Sequence, residues 1–449
     1  MMIRFRTFVL LAVSILFTVA MVGQSGSLPS ENWIVTWATS QEMAPAVQER
    51  PVIPPGTKMP DFSAMRGPRR PTQIPKDVAD QTVRMIVHTS IAGKRLRLEL
   101  SNSFGKSVVS IGSAHVAIRT SESSVDTASD RQLIFSGSPS VNIGPGVVII
   151  SDPFNLDVKA MSDLAVSLYV VKSEGTPTNH TPGLHTAYIS KGDTSASSSM
   201  PEPTTTTSYL WLRSIDVVAS ANDFAVACLG DSITDGTAST LNGDDRWTDV
   251  LARRLFAVYG PRVSVINEGI SGNMILWPSG RAAAKPFEGG PSALDRIDRD
   301  VLSLSGLSAV IWMEGLNDFE RSTPEAVAKG IQEGVKRLRA RGGIKIIAAT
   351  LPSSWKSING IHGTAAMNAR RQAFNRFIRT AGIFDGVIDF DAVTLDKNTG
   401  ALLQEFQPDS TFGGPGDLLH PNRAGYQAMG AAVDLRMFAP ASAGASHNP

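Results

Sequence analysis

Residues 227–236 read ACLGDSITDG, so a run of apolar residues gives way to a short polar turn with a serine at its centre. The apolar run 224–230 is long enough for one buried strand. Ser232, in the turn, is either a turn former or, beside a suitable base, a nucleophile. The segments that surround this stretch decide between the two interpretations.

Downstream of this stretch, strongly apolar runs alternate with segments of helical periodicity. Such alternation predicts an α/β fold with a parallel sheet that helices cover on both faces. Ligands of open α/β sheets bind beyond the carboxyl ends of the strands, so the residues that follow each run are candidate site residues. The apolar runs are FAVACLG (224–230), VSVINEG (263–269), SAVIWMEG (308–315), KIIAATLP (345–352) and GVIDF (386–390), and the helical segments are 247–259, 324–341, 364–380 and 423–435.

The residues after these runs include the parts of a nucleophilic site. A serine hydroxyl is a weak nucleophile until a neighbouring imidazole removes its proton, and His420 is the candidate base for Ser232. Asp417 precedes His420 by three residues and can reach the other ring nitrogen. A carboxylate in that position fixes the tautomer and stabilises the imidazolium that forms. The sequence therefore predicts a catalytic triad of Ser232, His420 and Asp417.

Attack of a serine on an ester carbonyl creates an oxyanion, which needs hydrogen-bond donors that are already in place. We predict three donors, namely the backbone N–H groups of Ser232 and Gly269 and the side-chain amide of Asn317. Glycine at 269 allows the backbone to approach a substrate closely. Asp318, the neighbour of Asn317, is expected to be structural.

In combination, these segments resemble the blocks of the SGNH, or GDSL-type, hydrolase superfamily. The first block is GDSITDG, the second contains Gly269, the third is GLND (315–318) and the fifth is DLLHP (417–421). The resemblance implies a three-layer, flavodoxin-like hydrolase domain. It also implies a cofactor-free serine esterase that forms an acyl-enzyme and releases it to water.

The remainder of the chain carries a second, looser resemblance. The segments TWATSQ (36–41), LSNSFG (100–105) and DRWTDVLARRL (245–255) resemble the two-domain bacterial acylhydrolases and arylesterases associated with xylan degradation, in which a β-rich region precedes the hydrolase. Short β-branched runs with period two, separated by turn residues, lie between residues 33 and 218. They predict an all-β, sandwich- or jelly-roll-like domain.

The chain is divided into four predicted parts. Arg4 and Arg6 precede the apolar run 8–23, which is the layout of a secretory signal peptide, and we expect residues 1–26 to be removed on export to the periplasm or the medium. No stable membrane insertion is expected after cleavage. An uncleaved anchor is the alternative, because the run approaches the length of a membrane span. The β-rich domain then covers residues 27–220, the hydrolase 221–441 and a tail 442–449, while the role of the proline-rich loop 43–75 is open.

Composition excludes several classes of function. The 42 Lys and Arg residues balance the 41 Asp and Glu residues, so no nucleic-acid partner is expected. Cys228 is the only cysteine, which excludes an intramolecular disulfide. The histidines other than His420 lack metal-ligand spacing, so neither a metal nor another cofactor is predicted. The serine is not in a G-x-S-x-G elbow, which argues against the α/β-hydrolase fold.

Substrate choice is the least determined property. Trp247, Asn273 and Trp277 follow the strand ends and are candidate substrate-binding residues, although both tryptophans are equally typical of a core. We expect a small-molecule or polysaccharide ester with a short acyl group, above all acetyl on a carbohydrate. The alternatives are a lysophospholipase or arylesterase for longer acyl chains, a thioesterase, and a non-catalytic carbohydrate-binding scaffold. The oligomeric state is left open.

Overall fold

The computed structural model describes residues 31–43, 74–278, 290–358, 361–407 and 416–439. The predicted signal peptide, the tail and nearly all of the proline-rich loop lie outside the described residues. Within these ranges, no helix combines the length and the apolar character that a membrane span requires. The described residues from Asn32 onward belong to one compact unit.

The first half of the chain contains only strands and one short 3₁₀ turn (Thr127–Ser129) in its described part. The strands are β1 (Trp33–Ala38), β2 (Glu42–Met43), β3 (Ala79–Thr89), β4 (Gly93–Ser101), β5 (Val109–Ser121), β6 (Ser124–Val125), β7 (Arg131–Gln132), β8 (Val141–Ile143), β9 (Val148–Ile150), β10 (Phe154–Val158), β11 (Ser162–Lys172), β12 (Thr178–His180), β13 (Ala187–Lys191), β14 (Thr204–Thr206), β15 (Tyr209–Leu210) and β16 (Leu212–Val218). We call residues 31–218 the β-rich region.

The strands of the β-rich region pair antiparallel in three sheets. One five-stranded sheet has the order β1-β16-β4-β10 with β9 also on β4, and an eight-stranded sheet has the order β14-β13-β3-β11-β5-β6 with β7 and β8 also on β5. A small third sheet has the order β15-β12-β2. Successive side chains of β3 point to opposite faces of the eight-stranded sheet. Val83 and Met85 lie in the main apolar core, whereas Ile86 belongs to a separate small apolar cluster with Ala117 and Ala165.

The second half alternates strands and helices as the sequence predicts. The strands are β17 (Phe224–Gly230), β18 (Val263–Gly269), β19 (Leu307–Met313), β20 (Lys345–Ala349) and β21 (Gly386–Ile388). The helices are α1 (Ser232–Asp235), α2 (Trp247–Tyr259), α3 (Ala293–Ile297), α4 (Pro324–Arg341), α5 (Ala365–Thr380), α6 (Phe390–Thr394) and α7 (Arg423–Ala432), with a π turn at Asp298–Leu302 and 3₁₀ turns at Asn317–Glu320, Gln404–Phe406 and Leu435–Phe438.

All strand pairs of this second sheet are parallel, and its order is β18-β17-β19-β20-β21. Numbered along the chain, this is the order 2-1-3-4-5 of flavodoxin-like sheets. Because β17 lies inside the sheet between β18 and β19, the segments after these three strands emerge side by side. The segments that follow β17, β18 and β19 therefore meet at one edge of the sheet.

The two halves of the chain are continuous in their packing. The backbone N–H of Val35 in β1 donates to the carbonyl of Ser305 at 3.1 Å, and the N–H of Val265 in β18 donates to Ser90 Oγ at 2.9 Å. Apolar side chains of both halves also belong to a single buried cluster. The predicted boundary at residue 220 falls in the turn between β16 and β17, and no described sheet crosses that turn.

Candidate active site

Ser232 stands at the carboxyl end of β17, as the first residue of α1. Asp231 caps this one-turn helix, because its carboxylate accepts a hydrogen bond from the N–H of Ile233 at 3.0 Å. The serine is thus fixed between a buried strand and a capped turn.

The structure brings the three predicted triad residues together. Ser232 Oγ lies 2.9 Å from His420 Nε2, and His420 Nδ1 lies 2.6 Å from Asp417 Oδ2. Since an ionised carboxylate can only accept, Nδ1–H donates to Asp417, and Nε2 of the neutral ring is left to accept the serine proton. This is the geometry in which an imidazole acts as a general base.

Asp417 is held in its ionised form. Its Oδ1 accepts from the backbone N–H groups of Leu419 and His420 at 2.9 and 2.8 Å. Burial raises the pKa of Asp417, but the neighbouring His420 and these hydrogen bonds outweigh burial and lower that pKa to about 2. Ser357 Oγ donates to the Asp417 carbonyl at 2.9 Å, so the loop after β20 also supports this residue.

A second histidine near the triad is unsuited to act as a competing base. His362 is buried, and burial together with the nearby His420 lowers the pKa of His362 to about 4. The ring is therefore neutral at pH 7 and is a weak base.

Asn317 and Asp318 fasten the loop after β19 to the loop after β18. The side-chain Nδ2 of Asn317 donates to the Asn273 carbonyl at 2.9 Å, which leaves its second amide hydrogen for a ligand. The buried Asp318 carboxylate accepts from the N–H groups of Ile275 and Leu276 at 2.8 and 2.9 Å. The structural role that the sequence predicts for Asp318 is confirmed.

The prediction that Gly269 donates to an oxyanion is contradicted by its surroundings. Its backbone N–H donates to Asn267 Oδ1 at 2.9 Å and is therefore used within the protein. A Cβ at this position would lie 2.2 Å from the backbone nitrogen of Asp235. Glycine is required at 269 because β18 packs closely on α1, and not because a substrate approaches.

Sequence reasoning missed Gly272 as the better candidate donor. It lies in the loop that follows β18, its φ of 79° is the left-handed conformation that favours glycine, and it is exposed to solvent. The available signal was the glycine of the polar turn after β18, at Ser271-Gly272. The loop places it next to Asn273, the partner of Asn317.

Two of the three candidate substrate-binding residues are part of the interior. Trp247 has 0% of its surface exposed and packs on Phe390, with ring centroids 5.3 Å apart. Asn273 is also fully buried, and its side chain donates to the Pro291 carbonyl at 2.7 Å and accepts from Arg296 Nε at 2.8 Å. The prediction that these two side chains contact substrate is therefore wrong, because the protein itself uses all of their available surface.

Trp277 differs from these two residues. It is 46% exposed, and its Nε1 donates to Ser322 Oγ at 3.0 Å. That hydrogen bond anchors the indole beside the loop that carries Asn317, so Trp277 remains a candidate for substrate contact.

Buried carboxyl groups lie close to the site. Burial raises the pKa of Asp231 to about 6 and that of Glu314 to about 8. Burial also raises the pKa of Asp318 to about 7. Glu314 accepts from Trp312 Nε1 at 2.9 Å. Burial thus moves the pKa values of these three acids towards neutral pH.

One cluster outside the triad offers potential metal ligands. His88, Asp163 and Asp244 each place a ligand atom within 4.8 Å of the others. Both carboxylates already have partners within the protein. Asp163 contacts the guanidinium of Arg119 at 2.7 Å, and Asp244 contacts the ring of His185 at 2.7 Å. These contacts account for the acids without an ion, and the absence of a metal stays a prediction.

Comparison with protein-family models gives one match. Residues 228–428 match the model described as the GDSL-like Lipase/Acylhydrolase family. The matched segment contains Ser232, Gly272, Asn317, Asp417 and His420. No curated protein matches the chain.

Several solved structures are similar to a part of the chain. A carbohydrate acetylesterase family member from Sinorhizobium meliloti is 21% identical, with 48% of this chain and 97% of that chain covered and a TM-score of 0.37. An inhibitor-bound aryl esterase from M. smegmatis is 21% identical over 46% and 95% of the two chains, with a TM-score of 0.35. A GDSL-like lipase from Bacteroides thetaiotaomicron is 19% identical over 48% and 87%, with a TM-score of 0.35.

Proposed function

Since the chain carries a GDSL-like lipase/acylhydrolase domain at residues 228–428 and is a carboxylic ester hydrolase, we propose that it cleaves esters through Ser232, His420 and Asp417. The observation that carries the proposal is the pair of hydrogen bonds Ser232 Oγ to His420 Nε2 (2.9 Å) and His420 Nδ1 to Asp417 Oδ2 (2.6 Å). They form a proton path from the serine hydroxyl to a base whose orientation is fixed.

The reaction follows from this geometry. Ser232 Oγ attacks the ester carbonyl carbon while His420 Nε2 takes its proton, and the ionised Asp417 stabilises the imidazolium. His420 then donates that proton to the leaving alcohol oxygen, which gives an acyl-serine. A water molecule, deprotonated by His420, attacks the acyl-serine, and His420 returns that proton to Ser232 Oγ as the bond to the acyl carbon breaks and the acid leaves.

The oxyanion of each tetrahedral intermediate is stabilised by three donors under this proposal. They are the N–H of Ser232, the N–H of Gly272 and the side-chain amide of Asn317. The hydrogen bond from Asn317 to the Asn273 carbonyl fixes the amide before the reaction begins, so no reorganisation is needed in the transition state.

We propose a short acyl group, above all acetyl, on a carbohydrate or a similarly polar alcohol. The supporting features are the polar surroundings of the serine and the exposed indole of Trp277, a side chain suited to stacking on a sugar face. In the described residues after 224, the large apolar side chains that are exposed are those of Phe256, Val258, Trp277 and Ile358. Two of these lie on α2, so little exposed apolar surface is available for a long acyl chain.

Export belongs to the same proposal, because a polysaccharide ester is too large to enter a cell. The apolar run 8–23 after Arg4 and Arg6 supports it. Sequencing the N-terminus of the protein secreted by its host would test it: a new terminus near residue 27 is expected, whereas retention of Met1 would refute cleavage.

The test of the activity is hydrolysis of p-nitrophenyl acetate, butyrate, octanoate and palmitate, followed by acetate release from acetylated xylan. Wild type should show its highest kcat/KM with acetate, and Ser232→Ala should be inactive. Ser220→Ala, in the exposed turn before β17, is the matched control and should retain full turnover.

Three other outcomes would change the conclusion. Efficiency that rises from acetate to octanoate or palmitate would replace the deacetylase proposal with a lipase-like or lysophospholipase activity. A preference for phenyl acetates over acetylated xylan would indicate an arylesterase. Wild type without turnover on any ester would leave the non-catalytic scaffold as the better hypothesis.

A further inference from the structure

The loop after β18 is fixed at its beginning by α1, the helix that starts with the nucleophile. Asp235, the last residue of α1, accepts from Ser271 through one carboxylate oxygen, Oδ2. The backbone N–H of Ser271 is 3.0 Å from this oxygen and its Oγ is 2.5 Å away. Ser271 directly precedes Gly272, so the position of the candidate oxyanion donor depends on Asp235.

The other carboxylate oxygen of Asp235 is held by the β-rich region. His180, the last residue of β12, places Nε2 at 3.1 Å from Asp235 Oδ1 and Nδ1 at 2.7 Å from the Ser40 carbonyl. A carbonyl oxygen can only accept, so Nδ1 carries a hydrogen. A carboxylate oxygen also accepts, so Nε2 carries the second hydrogen, and the ring is an imidazolium.

The surroundings of His180 favour this charge. His180 and Asp235 are both buried, with 5% and 3% of their surfaces exposed. Burial alone would lower the pKa of His180, but the carboxylates of Asp235 and Glu42 outweigh it and raise that pKa to about 9. A buried ion pair of this kind is costly to break, since the partner left behind is an uncompensated charge.

We propose that His180 is a positioning residue of the esterase: it reaches from the β-rich region to Asp235 and thereby holds Ser271 and Gly272 where the oxyanion forms. The proposal rests on the proposed function and assigns the β-rich region a part in catalysis. The chain of contacts runs from the Ser40 carbonyl through His180, Asp235 and Ser271 to the exposed glycine. None of these groups exchanges a proton with substrate.

The position of the loop matters for charge that develops in the transition state and much less for ground-state binding. Loss of the contact should therefore lower kcat and leave KM nearly unchanged. A role confined to stability would instead lower the melting temperature without changing the turnover of the folded enzyme. Comparing the loss of kcat with the loss of melting temperature therefore distinguishes a positioning role from a purely structural one.

The experiment compares His180→Asn with wild type in p-nitrophenyl acetate hydrolysis, well below the melting temperature of each protein. We expect a loss of about 10- to 100-fold in kcat at unchanged KM. The matched control is His115→Asn, which removes another ring of the β-rich region that is paired with an aspartate, Asp130, at 2.8 Å. The control should keep the kcat of wild type.

Ser271→Ala tests the same chain of contacts from its other end, without removing a buried charge. It should lose kcat at unchanged KM, and the double variant with His180→Asn should be less impaired than the product of the two single effects, because both act through Asp235. If His180→Asn does not fold, His180→Gln takes its place. This variant keeps an amide donor for Asp235. We therefore expect partial rescue: the kcat of His180→Gln should be closer to the wild-type value than the kcat of Ser271→Ala is.

An unchanged kcat in folded His180→Asn, or in Ser271→Ala, would overturn the proposal. A rise in KM alone would do the same, because it would mark a binding role. The Ser232→Ala variant keeps this result separate from the proposed function. An active wild type with an inactive Ser232→Ala supports the esterase whatever His180→Asn does, whereas an inactive wild type overturns both proposals.

Discussion

At the scale of single residues, Ser232 and His420 share one hydrogen bond, and the proposed reaction needs both of them. Ser232→Ala and His420→Ala should each lower kcat by several orders of magnitude, and the double variant should be little worse than either, because the residues act as a unit. Asp417→Asn should cost less. Steady-state kinetics with p-nitrophenyl acetate measure all four variants, and additive losses would show that the two residues do not cooperate.

The triad could be predicted from the sequence, since its three members are marked by strand ends and by the Asp-x-x-His spacing. The predicted donor Gly269 is not suited to the role, and the candidate that we propose in its place, Gly272, lies three residues later. Gly269 is the last residue of β18 and Gly272 lies in the turn that follows, and the choice between them depends on the hydrogen bond from the Gly269 N–H to Asn267 Oδ1. That hydrogen bond depends on the conformation of the Asn267 side chain, which a local sequence pattern does not predict.

At the scale of elements, the side chain of Asn317 links the loops after β18 and β19, and the proposed function also gives it the role of an oxyanion donor. Asn317→Ala should lower kcat by roughly 10²- to 10³-fold with little change in KM, because the amide acts on charge that appears in the transition state. Glu320→Gln, on the exposed side of the same 3₁₀ turn, is the control and should behave as wild type. Should KM rise while kcat stays constant, Asn317 would be a substrate-binding residue.

Elements with a strong period were predictable, and elements made by pairing were not. The helical segment 247–259 matches α2, and the segment 324–341 matches α4. The strand β12 has three residues and exists because it pairs with β2 and β15, so its own sequence carries no such signal. The contact between His180 in β12 and Asp235 in α1 was equally invisible, because it joins residues 55 positions apart.

At the scale of the whole molecule, five buried carboxyl groups make stability fall as pH rises towards 8. Burial is the first cause of every shift, and the resulting pKa values are about 7 for Glu42, 6 for Asp231, 8 for Glu268, 8 for Glu314 and 7 for Asp318. Each value is above that of the unfolded chain, so the folded protein holds more protons between about pH 4 and 8. Their contribution to stability is therefore complete at low pH and is lost as pH rises through this window.

The raised pKa of His180, about 9, has the same sign, because its contribution is also lost as pH rises from 6.5 towards 9. His362 and Asp417 have the opposite sign. The lowered pKa of His362, about 4, adds stability as pH rises towards 6.5, but this is one group against five raised carboxyl groups, and the lowered pKa of Asp417, about 2, removes stability only below about pH 4. The melting temperature should therefore be higher at pH 5.5 than at pH 8.5. Calorimetry at the two values checks this expectation, and an equal or higher melting temperature at pH 8.5 would contradict it.

A matched variant tests which groups produce this slope. Glu314→Gln keeps an acceptor for Trp312 Nε1 and cannot ionise. The difference in melting temperature between the two pH values should be smaller in this variant than in wild type. An unchanged difference would assign the pH dependence to the other buried acids.

The single cysteine makes it possible to measure how often the sheet beneath the active site opens. Cys228 lies in β17, four positions before the nucleophile, it is fully buried, and burial raises the pKa of its thiol. A thiol reagent can reach it only after β17 has separated from the neighbouring strands and helices. The rate at which the native protein is labelled therefore reports how often β17, the strand that leads to Ser232, separates from its neighbours. The native thiol is the probe, so no label has to be engineered into the protein.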